Sequence, residues 1–373
     1  MAVMVLPALS DDPNSPFFKL RSHQTEFHGP ADDVSTDVNC VRIGYFGPND
    51  VNHAEYGGMW CAASMAIERA NAAGGYKGIP FKLVPRWSST PWGTGVRDLA
   101  RMAYDDRVWA IIGGMDGGST HLAEQIVAKA HLPLLCPAST DKTLNLANVP
   151  WMFSCVPQDH LITPVLAAAI AKVDSGPLVL ISSVEHDSHL FAEELKKSLA
   201  KKHCPVDYAY TYAGKPGDRQ ALIQQVMVHN AKRIIISARA SVSAQLCRDL
   251  RSLGFKGLLF GGPWMGQRLF RTRAGAAAHS AVFPMLFQAS PQSVSFEKTF
   301  TEKSGSVPDY LCAHTYDAVT LLIQAIGKAG LNRVAIRKAL ADGAYQGVTG
   351  RLTWDGLGSN TRVVVLGRWE VRE

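Results

Sequence analysis

Residues 109–140, WAIIGGMDGGSTHLAEQIVAKAHLPLLCPAST, decide the fold. The run 109–112 is apolar and of strand length, and Gly113 and Gly114 stop it. From Gly117-Gly118-Ser119-Thr120 onward, Leu122, Ile126 and Val127 share one helical face, until Pro133 ends the pattern. Residues 134–136 read as the next strand, followed by Pro137-Ala138-Ser139-Thr140. Two parallel strands joined by a helix bring both strand ends to one edge of the sheet. Ser119 and Thr120 are therefore expected beside Ala138, Ser139 and Thr140. Helix starts carry unpaired N–H groups and the positive end of the dipole, which favour an anion. Two of them side by side, beginning at Gly117, make a cradle for a small carboxylate. The same hydroxyls would also serve as N-caps. A phosphate loop fits less well, because the stretch has neither a Walker lysine nor GxGxxG spacing.

The flanking chain repeats this plan. Residues 41–46 read as a strand, 57–73 as a helix, 81–85 as a strand and 94–106 as a helix. That alternation predicts a parallel sheet covered by helices on both faces. A second α/β series follows an extended run at 151–155. It has helices at 161–173, 190–203, 218–229 and 242–253, and strands at 178–183, 207–212, 233–237 and 258–260. The segment 184–189 is expected as a loop. A strand-like run at 281–287 leads back towards the first unit, followed by helices at 292–304 and 311–329. Residues 347–355 and 362–369 read as a terminal hairpin with its turn at 356–360. Residues 1–39, rich in Pro, Asp, Ser and Asn, read as a leader or tether without a core.

Composition narrows the function. With 373 residues there is room for two domains, and 47% apolar with 19% charged content describes an ordinary globular chain. The net charge of +6 is spread without a long basic run, which argues against nucleic acid as a partner. The seven cysteines form no CxxC pair and no metal-ligand spacing, so buried free thiols are expected. No stretch of 18 apolar residues is present. Residues 1–10 are apolar and end in small residues but have no basic n-region. They fit either the tail of a signal peptide or a non-secretory start.

The 111–140 segment resembles the first-lobe core of the leucine/isoleucine/valine-type periplasmic solute-binding proteins, the type I binding proteins of branched-chain amino acid ABC transporters. Tyr45-Phe46-Gly47-Pro48 is similar to that family's opening strand and turn, and residues 66–78 to its first-helix signature. Residues 316–319 and 350–355 resemble its late helix and closing hairpin. The resemblance runs from about residue 40 to the end. It implies an α/β fold of two Rossmann-like lobes joined by three hinge crossovers, near Pro157, Pro284 and Gly347. Lobe 1 would be 40–157 plus 285–346, and lobe 2 would be 158–284 plus 347–373. It also implies an extracytoplasmic or periplasmic monomer that captures an amino acid or related acid for an ABC permease, without cofactor or metal.

By the same resemblance, positions 117–120 and 138–140 hold the ligand's carboxylate. Asp187, Arg239 and Trp264 approach from the second lobe. The family's acidic residue after a Gly-Pro, which meets the ligand's ammonium, is Trp264 here, after Pro263. Asp116, Asp187 and Glu185 are candidates to replace that charge. The other possibility is a ligand without an amine, or a quaternary cation, lying against Trp264. The family's cleft tyrosine is replaced by the segment 186–189.

Rival chemistry is sparse. His186 and His189 flank Asp187 and would bind zinc only with a further ligand from elsewhere. No GxSxG elbow exists, which disfavours a serine hydrolase. Trp87, Trp92, Trp60 and Tyr56 follow strand ends and are expected either as cleft walls or as packing. A ligand-sensing domain of the same fold is the main alternative to a transport role.

Overall fold

The structure is a computed structural model that describes residues 38–88, 91–173 and 176–370. Most of the expected leader, residues 1–37, lies outside them, as do Ser89, Thr90 and the side chain of Trp92.

The first series comprises β1 (Val41–Phe46), α1 (Gly57–Ala72), β2 (Phe81–Arg86), α2 (Val96–Tyr104), β3 (Ile111–Gly113), α3 (Gly117–Ala130), β4 (Leu134–Cys136) and β5 (Met152–Ser154). The second comprises α4 (Asp159–Ala171), β6 (Leu178–Ser183), α5 (His186–Ala200), β7 (Tyr208–Tyr212), α6 (Pro216–Val228), β8 (Arg233–Ser237), α7 (Ala240–Ser252), β9 (Leu258–Gly261), α8 (Arg268–Ala274) and β10 (Val282–Met285). The closing segment adds α9 (Val294–Ser304), α10 (Tyr310–Ala329), α11 (Arg333–Ala341), β11 (Tyr345–Gly347), β12 (Gly350–Leu352) and β13 (Val365–Arg368).

Two separate sheets make two lobes. The first has the order β2-β1-β3-β4-β5 and is parallel throughout. The second has the order β13-β10-β9-β8-β6-β7, parallel except for β13 at its edge. Buried on both faces, such strands must be apolar runs rather than alternating ones. Ile111, Ile112, Ile234, Ile235 and Ile236 accordingly sit in the two cores. The helices α9 and α10 return to the first lobe and pack along α1. No single helix among the described residues is long and apolar enough to cross a membrane. The bent pair α10–α11 passes only by composition, and most of α10 is buried core.

The order of parallel strands is equivalent in both lobes: β2-β1-β3-β4 in the first and β7-β6-β8-β9 in the second. The chain changes direction across each sheet between its first and third strands of the series. Ligands of open α/β sheets bind beyond the carboxyl ends of the strands at that switch point. The crevices to inspect are therefore β1/β3 in one lobe and β6/β8 in the other.

Several local expectations are corrected. The segment 186–189 is the first turn of α5, not a loop before it. Asp187 in that turn favours an early start by opposing the helix dipole. The single terminal hairpin is replaced by two pairings. β11 pairs with β12 across a tight turn in which Gly350 adopts φ +99°, while β13 pairs antiparallel with β10. The turn at 356–360 does close a small loop, bridged by Trp354 and Asn360. That loop lies on the first sheet: Trp354 Nε1 donates to Ser154 O (2.8 Å) and Asn360 Nδ2 to Cys155 O (2.8 Å). The nine-residue α11 was not anticipated, although Asn332 caps it and Ile336 and Leu340 are spaced to bury one face. All seven cysteines are free thiols.

Candidate functional site

The start of α3 is closed by its own residues. Asp116 is the N-cap, and its carboxylate accepts from Ser119 N (2.8 Å). The Ser119 hydroxyl donates to Asp116 Oδ1 (2.6 Å) and accepts from Met115 N (3.0 Å) and Asp116 N (3.1 Å), which completes a capping box. Thr120 Oγ1 donates to Asp116 O (2.6 Å). Both hydroxyls are fully buried. Ser119 and Thr120, expected to hold a ligand, instead shape the helix start.

The amide left open is that of Gly117, and a carboxylate already sits on it. Gly117 N donates to Asp187 Oδ1 (3.0 Å) and Oδ2 (2.9 Å), across the gap between the lobes. Only glycine permits this approach. A Cβ at Gly117 would lie 2.5 Å from Asp187 Oδ1 and 2.6 Å from Asp141 Oδ2.

A second interlobe contact comes from β8. Arg239, immediately before α7, donates through Nη2 to Asp116 Oδ2 (2.8 Å) and through Nη1 to Tyr56 OH (3.4 Å). Its Nε lies 3.5 Å from Glu185 Oε1.

These groups enclose a cavity of about 20 Å³ between the two switch points. That is room for about one water molecule. The first lobe contributes Glu55, Tyr56, Met115, Asp116, Ala138 and Thr140, with Tyr310 and Leu311 from α10. The second contributes Asp187, Arg239, Pro263, Trp264 and Gln267. Of the residues expected from sequence, Ala138, Thr140, Asp187, Arg239 and Trp264 line the cavity, and Gly117 bonds to its wall. Ser139 does not line it; its hydroxyl accepts from Asp141 N (3.2 Å). Trp60 packs edge-on against Tyr45 and Trp87 against Phe46, and neither lines the cavity.

Glu55, Met115, Gln267, Tyr310 and Leu311 were missed. Glu55 had a usable signal, because it follows β1 at the switch point. Tyr310 begins a helix far along the chain, and no local pattern marks it.

Electrostatics set the character of the cavity. Burial pushes the Asp187 carboxyl up to about 6, against the Gly117 amide that favours its charge. Glu55 is also raised, by burial first and then by Glu185 and Asp116, with Arg239 opposing. Burial works against the Arg239 charge, but Tyr56, Asp116, Glu185 and Glu55 outweigh it and hold the guanidinium charged. Thr140 donates to the fully buried Asp159, whose carboxyl burial pushes well above the usual range. Acidic groups thus outnumber the one arginine around the cavity.

Beside the cavity, Asp141 Oδ2 lies 3.2 Å from His121 Nε2 and 3.0 Å from His186 Nε2. His121 Nδ1 is 3.0 Å from Glu124 Oε2. Burial lowers the His121 ring, but bonds to Asp141 and Glu124 prevail and raise it to about 10. A further ion pair between the lobes joins Lys142 to Glu194. Larger hollows exist, but the one of about 470 Å³ lies around Lys232, Phe255 and Gly257, at the amino ends of β8 and β9. The carboxyl edge, where the switch points meet, remains the candidate site.

Known proteins share this architecture. The chain is 25% identical over 328 residues to an amino acid binding protein of Pseudomonas aeruginosa, covering 84% of this chain and 86% of that one. It is 24% identical over 329 residues to that organism's leucine-, isoleucine-, valine-, threonine- and alanine-binding protein, covering 86% and 87%. The crystal structure of the branched-chain amino acid transporter substrate-binding protein LivJ of Streptococcus pneumoniae, in complex with isoleucine, superposes with a TM-score of 0.81. The identity is 21%, covering 89% of this chain and 96% of that one. A sequence model of the periplasmic binding proteins matches residues 41–370. With that match spanning most of its length, the chain belongs to the periplasmic binding protein family.

Proposed function

We propose that the chain is an extracytoplasmic solute-binding protein that captures a small carboxylate-bearing ligand, an amino acid or related acid, for an ABC importer. One observation carries this reading. At the meeting of the two switch points, the first amide of α3 already bonds a carboxylate, that of Asp187. Asp187 belongs to the opposite lobe and would leave with it on opening. The Gly117 amide would then be free for a ligand's carboxylate, with Ala138 and Thr140 beside it. On closing, Asp187, Asp116 and Glu55 would face the ligand's ammonium, the role that Trp264 cannot fill. Trp264 is packed edge-on against Phe191 (centroids 5.7 Å apart), so one part of its ring is left for the ligand's apolar body.

A cavity of about 20 Å³ requires opening before such a ligand enters. Hinge motion of lobe 1 (40–157 and 285–360) against lobe 2 (158–284 and 361–373) supplies it in this reading, in place of the sequence bounds with a third hinge at Gly347. The bonds of Trp354 and Asn360 to Ser154 and Cys155 favour moving the third hinge beyond Asn360. The protein does no chemistry in this reading: the Ser119 hydroxyl, the nucleophile a hydrolase would need, is bound within its capping box. The working form is a monomer that docks on a permease.

A thermal-shift screen against α-amino acids, aromatic acids, amides and short aliphatic acids tests the proposal. Ligand at about 100 times its dissociation constant stabilises by roughly 2.7 kcal/mol. A response to α-amino acids is expected. A response confined to compounds without a carboxylate would overturn the ligand class.

A further inference from the structure

We propose that His121, Asp141 and His186 form a divalent-cation site that clasps the two lobes together beside the ligand cavity. The three side chains offer two imidazole nitrogens and one carboxylate oxygen, all within 4.8 Å of one another. Both ring nitrogens face the same oxygen: Asp141 Oδ2 is 3.2 Å from His121 Nε2 and 3.0 Å from His186 Nε2. Around a tetrahedral zinc ion with bonds of about 2.0–2.2 Å, ligand atoms lie about 3.3 Å apart. The two observed edges are close to that spacing. The rings stand at 87° with centroids 6.0 Å apart, so a small approach of His186 completes the third edge.

The ligands are held from behind, as in built metal sites. Glu124 Oε2 meets His121 Nδ1 (3.0 Å), which directs Nε2 at the site. Glu124 is itself fixed, because its Oε1 accepts from Asn145 N (2.7 Å). Asp141 Oδ1 accepts from Thr143 N and Thr143 Oγ1 (both 2.7 Å), which leaves Oδ2 for the ion. Asp141 is buried, whereas the His186 side chain is 51% exposed and gives an ion a way in from solvent. An ion would displace the proton that Asp141 and Glu124 otherwise keep on His121.

The donor set selects the ion. Two imidazoles and one carboxylate suit zinc and its neighbours among the transition metals. Calcium and magnesium prefer all-oxygen sites. The placement gives the consequence: His121 and Asp141 stand on the first lobe and His186 on the second. An ion bound by all three exists only when the lobes are closed, and so favours closure. The inference does not depend on the identity of the organic ligand.

The test uses the full chain, freed of any affinity tag and stripped with chelator. Titration with zinc chloride, followed by calorimetry and thermal melting, is expected to give one ion per chain and a raised Tm. Cobalt chloride is expected to give the visible absorption of a tetrahedral site. His186→Ala, at a half-exposed position, should weaken zinc binding at least tenfold, and His121→Gln should do the same. Zinc should also lower the radius of gyration of the native chain in solution scattering and leave that of His186→Ala unchanged. No zinc binding, undiminished binding in both variants, or an equal response to magnesium would overturn the proposal.

Discussion

The two lobes use the same strand order, but their edges at the cleft differ. In the first lobe, α3 is capped by its own Asp116 and completed by Ser119. In the second, α5 and α7 follow Glu185 and Arg239, neither of which makes a side-chain cap bond to its helix. The side chains at those second-lobe starts reach outward instead. Asp187 meets the Gly117 amide, Arg239 meets Asp116, and His186 meets Asp141. The first edge is capped within its own lobe except at the Gly117 amide, which only Asp187 meets, across the gap. The second sends Asp187, Arg239 and His186 across the gap to first-lobe partners, while Glu185 is met within its own lobe by Ser183, Ser188 and Arg239.

The strongest way to break this comparison is Asp116→Ala. It removes the cap, the capping box and the Arg239 partner, and should cost about 2 kcal/mol of stability by urea denaturation. A loss below about 0.5 kcal/mol would show that the first edge does not depend on its own cap. Thr140→Ala sharpens the site. It removes a hydroxyl at the cavity wall and should weaken ligand binding by about 1–2 kcal/mol, read by calorimetry, with an unchanged affinity excluding Thr140 from the site.

The hinge offers a reference away from both edges. His314 is fully buried, and its Nε2 is 3.1 Å from Leu286 O. Burial first, with Arg362 adding, holds its ring down at about 3 against an ordinary 6.5. The unfolded chain therefore binds a proton in that window that the native chain does not. This stability is fully present above the ordinary value and is lost as pH falls towards the folded one. At pH 6 the loss is just under about 1 kcal/mol, and His314→Gln should flatten that part of the stability profile. The smallest effect belongs to Glu185→Ala. Its carboxylate makes no backbone cap bond, only partly exposed contacts to Arg239 and to the hydroxyls of Ser183 and Ser188, so the loss should stay within about 0.5 kcal/mol in the same denaturation assay.

Much of the fold was legible because its signals are local. Apolar runs such as residues 233–237 cannot face water on either side, and they mark buried parallel strands wherever they occur. Pro133 delimits elements by restricting the backbone, and the glycines at 113–114 by freeing it. The early start of α5 was hidden because His186, Asp187 and Ser188 read equally well as loop or as first turn. The terminal strands were misassigned for a related reason. A β-strand carries no mark of which neighbour it will pair with, and β13 found the edge at β10. At the site, the sequence reading put a carboxylate cradle beyond β3 and β4; in the structure the Ser119 and Thr120 hydroxyls there bond to Asp116. Ser119 had a reader in Asp116, three residues earlier, and a capping box took both.

The sequence by itself determined the strand–helix alternation, which follows from periodicity and backbone chemistry within a few residues, and its motifs carried the resemblance to the family. Only the tertiary structure decided which groups meet. Gly117 and Asp187 are 70 residues apart, and Asp116 and Arg239 are 123 apart. Such pairs carry no local pattern, because a hydrogen bond across a cleft is set by how two separately formed cores come to rest against each other.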